Sequence, residues 1–218
     1  MKTSAKLLSF IFAAFLFTAC NKNKDEITIS GRIFDPDLNK YVSGAVVKLS
    51  GNGIQSGVYT PGYSEIERMT TSEDGSFSFT LKKSTHDGFR LTVTKDNYFT
   101  QTHDFSASVF YEASEYEKEV LFRPSGTLEI HLYNAYPSDE DDKVVFYFSN
   151  ADLTCSGCCI NSPLTGNGPA FDTTFSCKFY GNQNVLFLRS VTKNQHTNLF
   201  FDSLFCPAFS TATYHIEY

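Results

Sequence analysis

The chain has 218 residues, with 18 Lys and Arg against 24 Asp and Glu and a formal net charge of −6. So acidic a chain lacks the clustered basic residues on which nucleic-acid binding depends, and a nucleic-acid partner is therefore excluded. Its hydrophobic share of 41% and its 22 Phe indicate a chain that folds around an apolar core rather than one that is disordered throughout.

The first 19 residues have the composition of a secretory signal peptide. Lys2 and Lys6 precede an apolar run at residues 7–17, which is too short to span a bilayer as a helix of about 20 residues. A core helix would need a recurring polar face, and this run contains only Ser9. We therefore expect residues 1–19 to be removed during export.

Cys20 follows directly after the small residues Thr18 and Ala19. This arrangement resembles a bacterial lipobox, which implies that Cys20 is lipidated and becomes the first residue of the mature protein. Phe17 departs from the pattern, because an aliphatic residue usually stands at that position. The alternative is ordinary signal cleavage, which would leave Cys20 as a disulfide partner.

Residues 20–26 then form the lipidated cysteine and a polar tether. Within the tether, Lys24-Asp25-Glu26 is similar to the export signal of surface lipoproteins in the Bacteroidota. Several acyl chains on one cysteine give a stable membrane anchor. The resemblance thus implies an outer-membrane lipoprotein that is anchored through Cys20 and faces the cell exterior.

Short alternating runs follow from Ile27 onward. The runs at residues 27–34, 76–81 and 89–95 place their apolar residues at every second position, which predicts antiparallel strands with one buried face. Turn signals separate the runs, and no stretch has a convincing helical period, so the chain is predicted to be all-β. These signals are Asp35-Pro36, Gly51-Asn52-Gly53, Pro61-Gly62 and Asp74-Gly75.

The first half carries motifs of a known family. Residues 44–49 follow the pattern G-A-x-V-x-L, residues 71–79 follow T-x-x-D-G-x-F-x-F, and residues 89–98 match a third strand motif loosely, with Asn97 in place of glycine. These motifs resemble the carboxypeptidase regulatory-like domain, a small sandwich related to the transthyretin or prealbumin fold. The resemblance covers residues 27–123 and implies an accessory module without peptidase activity.

Alternation resumes after Arg123-Pro124-Ser125-Gly126 and continues to the C-terminus. Residues 124–218 therefore predict a second β-sandwich of about six strands, which ends in a C-terminal strand and resembles no family that we can name. The fold prediction is accordingly all-β, with two tandem β-sandwich domains after the signal peptide.

Five cysteines fall in the second half: Cys155, Cys158, Cys159, Cys177 and Cys206. Because an exported protein meets an oxidising compartment, we expect structural disulfides, in the simplest form a clamp from the Cys155–Cys159 loop to Cys177 and Cys206, with one thiol left over. A redox site would need the C-x-x-C pair to open a helix, and zinc would need a second close pair. Both alternatives remain open, and no cofactor or metal is predicted.

Other candidate sites are weaker. The acidic stretches at residues 35–39 and 138–142 lack the ligand spacing of a calcium loop, so we expect solvated turns. The five histidines are scattered, and the common catalytic motifs are absent from the sequence. Residues 51–69 predict a long loop between two strands, in which Tyr59 and Tyr63 are candidates for binding.

These observations predict a non-catalytic cell-envelope lipoprotein, a surface-exposed module that binds or assembles with a glycan or an envelope protein. A structural stalk or fimbria-like subunit is the first alternative. A thiol-dependent or metal-dependent enzyme centred on Cys155–Cys159 is the second.

Overall fold

The computed structural model describes residues 25–55, 58–83, 86–149, 155, 157–159 and 162–218. Strands make up 67% of the structure and helix 2%, which confirms the all-β prediction. A short 3-10 helix at Ala107–Phe110 follows the seventh strand. The strands are β1 (Glu26–Asp35), β2 (Lys40–Tyr41), β3 (Val46–Gln55), β4 (Val58–Thr70), β5 (Ser76–Lys82), β6 (His86–Thr94), β7 (Gln101–Ser106), β8 (Glu115–Leu121), β9 (Ser125–Tyr133), β10 (Lys143–Phe148), β11 (Leu164–Asn167), β12 (Asp172–Tyr180), β13 (Gln183–Lys193), β14 (His196–Cys206) and β15 (Thr211–Glu217).

The first sandwich is built from β1 to β8. In one sheet β1 lies between β5, to which it is antiparallel, and β8, to which it is parallel, and the short β2 extends that sheet. The other sheet is antiparallel in the order β4-β3-β6-β7. Gly31 lies in β1 where the parallel partner comes close, because a Cβ there would lie 1.8 Å from the carbonyl oxygen of Lys118.

The second sandwich repeats this topology. Its first strand β9 lies between the antiparallel β12 and the parallel β15, as β1 lies between β5 and β8. Its other sheet has the order β11-β10-β13-β14, which corresponds strand by strand to β4-β3-β6-β7. The described residues of the second half therefore form seven strands, against about six predicted, and the two halves share one sandwich topology.

Each sandwich has its own apolar core between its two sheets. The first core contains Phe79 and Phe89, the second contains Phe146 and Ile130, and all four side chains are almost completely buried. The alternation of residues along the strands produces this arrangement, since every second side chain of a strand points to the same face. The 27–33 run and the pair Phe77 and Phe79 are buried as their alternation predicts.

Two turn predictions are wrong. Gly51-Asn52-Gly53 lies inside β3, where the pairing with both neighbours shifts register, and Pro61-Gly62 lies inside β4. A proline is tolerated there because β4 is an edge strand, so its missing N–H costs no ladder hydrogen bond. The predicted loop at residues 51–69 is therefore largely a long hairpin.

The other two predicted turns form. β1 ends at Asp35, before the turn that begins with Pro36. Gly75 has a φ of +74°, the left-handed conformation that glycine adopts readily. The Asp74-Gly75 turn does not close a hairpin within one sheet, however, because β4 and β5 belong to different sheets. It carries the chain from one layer of the sandwich to the other.

The two sandwiches contact each other through loops and strand ends. Arg123 donates two hydrogen bonds to the carboxylate of Asp37, at 2.7 and 2.6 Å, and its guanidinium lies 4.0 Å from the ring centre of Tyr180. The amide of Asn182 donates to the carbonyl oxygen of Asp37 at 2.6 Å. Polar contacts therefore tie the end of β1 to the β12–β13 turn.

Aromatic rings fill the rest of this junction. Phe99 packs edge to face on Tyr180 with ring centres 5.1 Å apart, and Tyr98 lies 5.2 Å from Phe209. A backbone hydrogen bond also crosses it, from Ser125 N to Asn97 O at 2.8 Å, and Gly181 N donates to Pro124 O beside it at 2.8 Å. Packed rings and hydrogen bonds therefore connect the two sandwiches at this junction.

Candidate interaction surface

The predicted disulfides form, but with a different pairing from the one expected. Cys155 bonds to Cys158, and Cys159 bonds to Cys177. The C-x-x-C pair therefore closes on itself, and only the second bridge clamps the loop to a strand, namely β12. Cys155 is buried against Phe99 and Tyr180, so the bridged loop also packs into the junction between the sandwiches.

Cys206 is not bridged, so the expected clamp to it does not form. Its thiol is fully buried at the end of β14, and burial raises its pKa to about 11. A buried thiol with a raised pKa is a poor nucleophile at neutral pH. Cys206 therefore lacks the setting of a reactive cysteine, and among the described residues no helix begins at the C-x-x-C pair. Cys20, the predicted lipidation site, lies outside the described residues.

The tyrosine loop predicted as a binding site is part of the β3–β4 hairpin. Tyr63 is half-buried, and the guanidinium of Arg90 lies 4.1 Å from its ring centre. Arg90 also forms two hydrogen bonds of 2.7 Å with Asp104. Tyr63 is thus engaged in packing on the sheet surface. Tyr59 pairs with Ile54 in the hairpin, and its side chain lies outside the described part of the chain.

Two of the acidic residues predicted to lie in solvated turns are buried instead. Asp35 is fully buried and accepts hydrogen bonds from the backbone N–H of Asp37 and Leu38, both at 3.0 Å. Asp142 is 1% exposed and accepts from Ser138 and from the amide of Asn134. These carboxylates hold turns closed through hydrogen bonds that their burial makes obligatory.

Burial acts to raise the pKa of Asp142, but the hydrogen bonds from Ser138 and Asn134 outweigh it and hold that pKa well below its usual range. Asp142 is therefore an ionised structural group at neutral pH. A calcium role is not needed to explain this acidic stretch.

Two histidines that the sequence leaves apart meet in the structure. His131 on β9 and His215 on β15 are register partners, and their Nδ1 atoms are 3.1 Å apart. The other ring nitrogen of His131 lies 2.8 Å from Asp172. Parallel pairing of strands that are distant in sequence produces this contact, which explains why residue spacing missed it. No group of three or more potential metal ligands occurs among the residues that the structure describes.

Several exposed apolar side chains lie together on the outer face of β10, β13 and β14. We call this surface the apolar face. Phe201 is 72% exposed, Leu199 is 60% exposed, and Leu186 is 46% exposed. Register pairing puts Tyr147, Leu188 and Phe201 in one row across the three strands. The apolar face comprises Tyr147, Leu186, Leu188, Leu199, Phe201 and Phe205, of which Leu188 is itself buried at 8% exposure.

The composition of β13 and β14 creates this face. Val185, Phe187 and Val191 of β13 point into the core, so the alternate residues Leu186 and Leu188 must point outward. A sheet with one solvent-facing side usually carries polar residues there. Leucine and phenylalanine at these positions are therefore an exception, and exposed apolar patches of this kind mark interaction sites.

The corresponding face of the first sandwich is polar. Its outer pair across β6 and β7 is Arg90 with Asp104, where the second sandwich has Leu188 with Phe201. Its edge strand β7 has 6 residues, whereas the edge strand β14 has 11. Long apolar edge strands attract further strands, and proteins normally shorten or charge them. Of the two corresponding edge strands, β14 is the long and apolar one, and β7 is short and polar.

Comparisons with known proteins do not identify a family. No protein-family model matches the chain, and no curated protein matches it. The resemblance to the carboxypeptidase regulatory-like domain therefore stays a prediction. The structure describes no helix that combines the length and the apolar character needed to cross a membrane.

Solved structures with some likeness include a streptococcal ancillary pilin, with a TM-score of 0.35 and 11% identity over 89% of this chain and 63% of the pilin. The shaft pilin SpaA from Lactobacillus rhamnosus GG has a TM-score of 0.33 and 10% identity, over 88% of this chain and 97% of that chain. Catechol 1,2-dioxygenase from Acinetobacter sp. ADP1 has a TM-score of 0.30 and 13% identity over 45% of each chain. TM-scores this low carry no information on the function of this chain.

Proposed function

We propose that this protein is a non-catalytic structural subunit of the bacterial cell envelope, anchored in the outer membrane through Cys20 and exposed on the outer side. In this role the two sandwiches form a stalk, and the apolar face joins the stalk to other protein. The observation that carries the proposal is the apolar face itself. Phe201 and Leu199 are more than half exposed, and the six residues of the face include no charged side chain.

The junction supports the stalk role. A stalk has to hold its outer end at a fixed distance from its anchor, and a flexible linker between the sandwiches would not do so. The paired contacts of Arg123 with Asp37 and of Phe99 with Tyr180 resist bending between the sandwiches. The Cys155–Cys158 loop packs against the same rings, so a disulfide reinforces the contact.

The other candidate functions have weaker support. A thiol enzyme would need an accessible cysteine of lowered pKa, but burial raises the pKa of Cys206, and no helix begins at the C-x-x-C pair in the part of the chain that the structure describes. A sugar-binding tyrosine platform at Tyr63 would have to share that ring with Arg90, whose guanidinium covers one of its faces. The stalk alternative is therefore preferred to the accessory binding module and to the enzyme.

Native electrophoresis of the full-length protein, extracted from membranes with a mild detergent, tests the proposal. We expect the wild type to migrate as a complex larger than one chain. Phe201→Asp should migrate as a single chain, because a charge in the centre of the apolar face opposes its burial. Tyr111→Asp is the matched control, since Tyr111 is an exposed aromatic residue, 85% exposed, on the first sandwich.

The control variant should keep the wild-type migration. A wild type that migrates as a single chain would refute the assembly role, and so would a Phe201→Asp variant that stays in the complex. The anchor is tested separately, since Cys20→Ala should release the protein from the membrane fraction. Protease added to intact cells should cleave the wild type if it faces outward.

A further inference from the structure

The backbone of β14 has hydrogen-bonding groups that point away from its sheet. β13 and β14 are joined by Asn194 and Gln195, whose φ values of 49° and 66° are typical of a type I′ turn. In such a hairpin the flanking residues Lys193 and His196 exchange backbone hydrogen bonds. Residues 197, 199, 201, 203 and 205 therefore direct their N–H and C=O groups outward.

Two hydrogen bonds in the structure agree with this assignment. They also shorten the stretch of β14 whose outward backbone groups have no partner within the described ranges. The carbonyl oxygen of Phe205 accepts from the hydroxyl of Tyr214 at 2.8 Å, and the N–H of Ser203 donates to Asp202 Oδ1 at 2.7 Å. No described residue bonds to the outward backbone groups of residues 197, 199 and 201. A segment centred on Leu199 is thus open to another strand.

We propose that the partner on this edge is a second copy of the chain, paired antiparallel with β14 about a two-fold axis at Leu199. This inference rests on the proposed function, because it names the protein to which β14, at the margin of the apolar face, is joined. In this register Leu199 lies opposite Leu199 of the second copy, and Thr197 lies opposite Phe201. Residues 197, 199 and 201 of one copy and the same residues of the other exchange about six backbone hydrogen bonds.

Hydrogen-bonding complementarity of the side chains favours this register. His196 and Asp202 are the ionisable side chains of β14, and the axis at Leu199 places each of them opposite the other on the second copy. An axis at Phe201 would instead place Asp202 opposite Phe200 and would use the N–H of Ser203 that Asp202 already covers. An imidazole N–H that faces a carboxylate across two strands can donate a hydrogen bond to it, and such cross-strand pairs stabilise a sheet.

The net charge also favours this surface over others. Without Lys2 and Lys6 of the signal peptide the formal charge falls from −6 to −8, so two mature copies repel each other and a self-contact is favoured where acidic side chains are few. The paired residues 197, 199 and 201 include none. Pairing at Leu199 joins the two four-stranded sheets into one continuous sheet and brings Leu199 and Phe201 of both copies onto the same outer surface.

Single-cysteine cross-linking tests the register. Full-length Leu199→Cys is expressed, exported and treated with a mild oxidant on intact cells, and covalent dimers are counted by non-reducing electrophoresis. Facing residues of a hydrogen-bonded pair have Cα atoms about 5.5 Å apart, within the span of a disulfide. We expect Leu199→Cys to form covalent dimers at several times the level of the wild type, which contains the buried Cys206.

Phe205→Cys is the matched control, because the axis at Leu199 separates the two copies of residue 205 by about 40 Å along the strands. It should remain at the wild-type level. Cross-linking of Phe201→Cys in place of Leu199→Cys would overturn the register. Absence of cross-linking at both positions, while the native complex persists, would overturn the self-pairing and leave the proposed function standing with another partner. Absence of both the cross-link and the complex would overturn both.

Discussion

The two sandwiches share one strand order and differ in what they expose. Both place their first strand between an antiparallel and a parallel neighbour, and both build a four-stranded second sheet. On the outer side of that second sheet, the first sandwich has the ion pair of Arg90 with Asp104, and the second has Leu188 with Phe201. The inward residues form the apolar cores that both sandwiches need. The outward residues are not part of those cores, so they can differ and give the second sandwich a binding surface.

The largest effects should come from the cores, which test whether the two sandwiches are equally dependent on burial. Phe79→Ala and Phe146→Ala each remove a side chain that is 1% exposed, and each should lower the free energy of unfolding by about 3–5 kcal/mol. Denaturant unfolding measures both losses. A loss below about 1 kcal/mol in one variant would show that the corresponding core is not packed as described.

The disulfides are present in the second sandwich alone among the described residues, so their removal should affect it specifically. The Cys159–Cys177 bridge closes a separation of 18 residues, and the double variant Cys159→Ser with Cys177→Ser should lose about 2–4 kcal/mol. The Cys155–Cys158 bridge spans a separation of 3, and its removal should cost less. Thermal unfolding of both double variants checks the order, and a reversed order would contradict the clamp.

The junction couples the two sandwiches, and Arg123→Ala should uncouple them. The Arg123 and Asp37 side chains are 29% and 12% exposed, so loss of the pair leaves a carboxylate poorly solvated and should cost about 1–3 kcal/mol. Calorimetry should then show two unfolding transitions in place of one. Arg32→Ala is the control, since Arg32 and Asp74 are 48% and 53% exposed and their pair contributes less than about 1 kcal/mol.

The smallest effect concerns pH and the second sandwich. Hydrogen bonds hold the pKa of Asp142 below its usual range despite its burial. A lowered folded-state pKa stabilises the fold above the unfolded-state pKa of about 3.9, and this stabilisation is lost as the pH falls through the folded value. Asp142→Asn should therefore be less stable than the wild type near neutral pH, and the difference should shrink below about pH 4. Urea midpoints at both pH values test this, and an unchanged difference would contradict it.

The sequence predicts the strands whose alternation is regular and misses those whose pattern is broken. β1, β5, β6, β9 and β10 are identified because their inward residues are apolar at every second position. β4 is missed because Pro61-Gly62 resembles a turn, although an edge strand tolerates both residues. The repeat of the sandwich is missed because topology depends on strand order and pairing rather than on shared motifs.

The candidate site depends on long-range pairing, which residue spacing does not reveal. The alternation in β13 indicates that Leu186 and Leu188 share a face, but only the pairing with β14 adds Phe201 to it. Likewise, the two disulfides are expected from the compartment, while their connectivity depends on which strand lies beside Cys159. The cysteine count correctly predicts one unpaired thiol, and its identity as Cys206 requires the fold.

Amide hydrogen exchange on β14 tests most directly whether the second sandwich is an assembly surface. In the assembled protein, the N–H groups of Thr197, Leu199 and Phe201 should be protected as strongly as those of Asn198 and Phe200, which bond to β13. In Phe201→Asp the first set should exchange rapidly while the second set stays protected. Rapid exchange of Thr197, Leu199 and Phe201 in the assembled wild type would contradict the account.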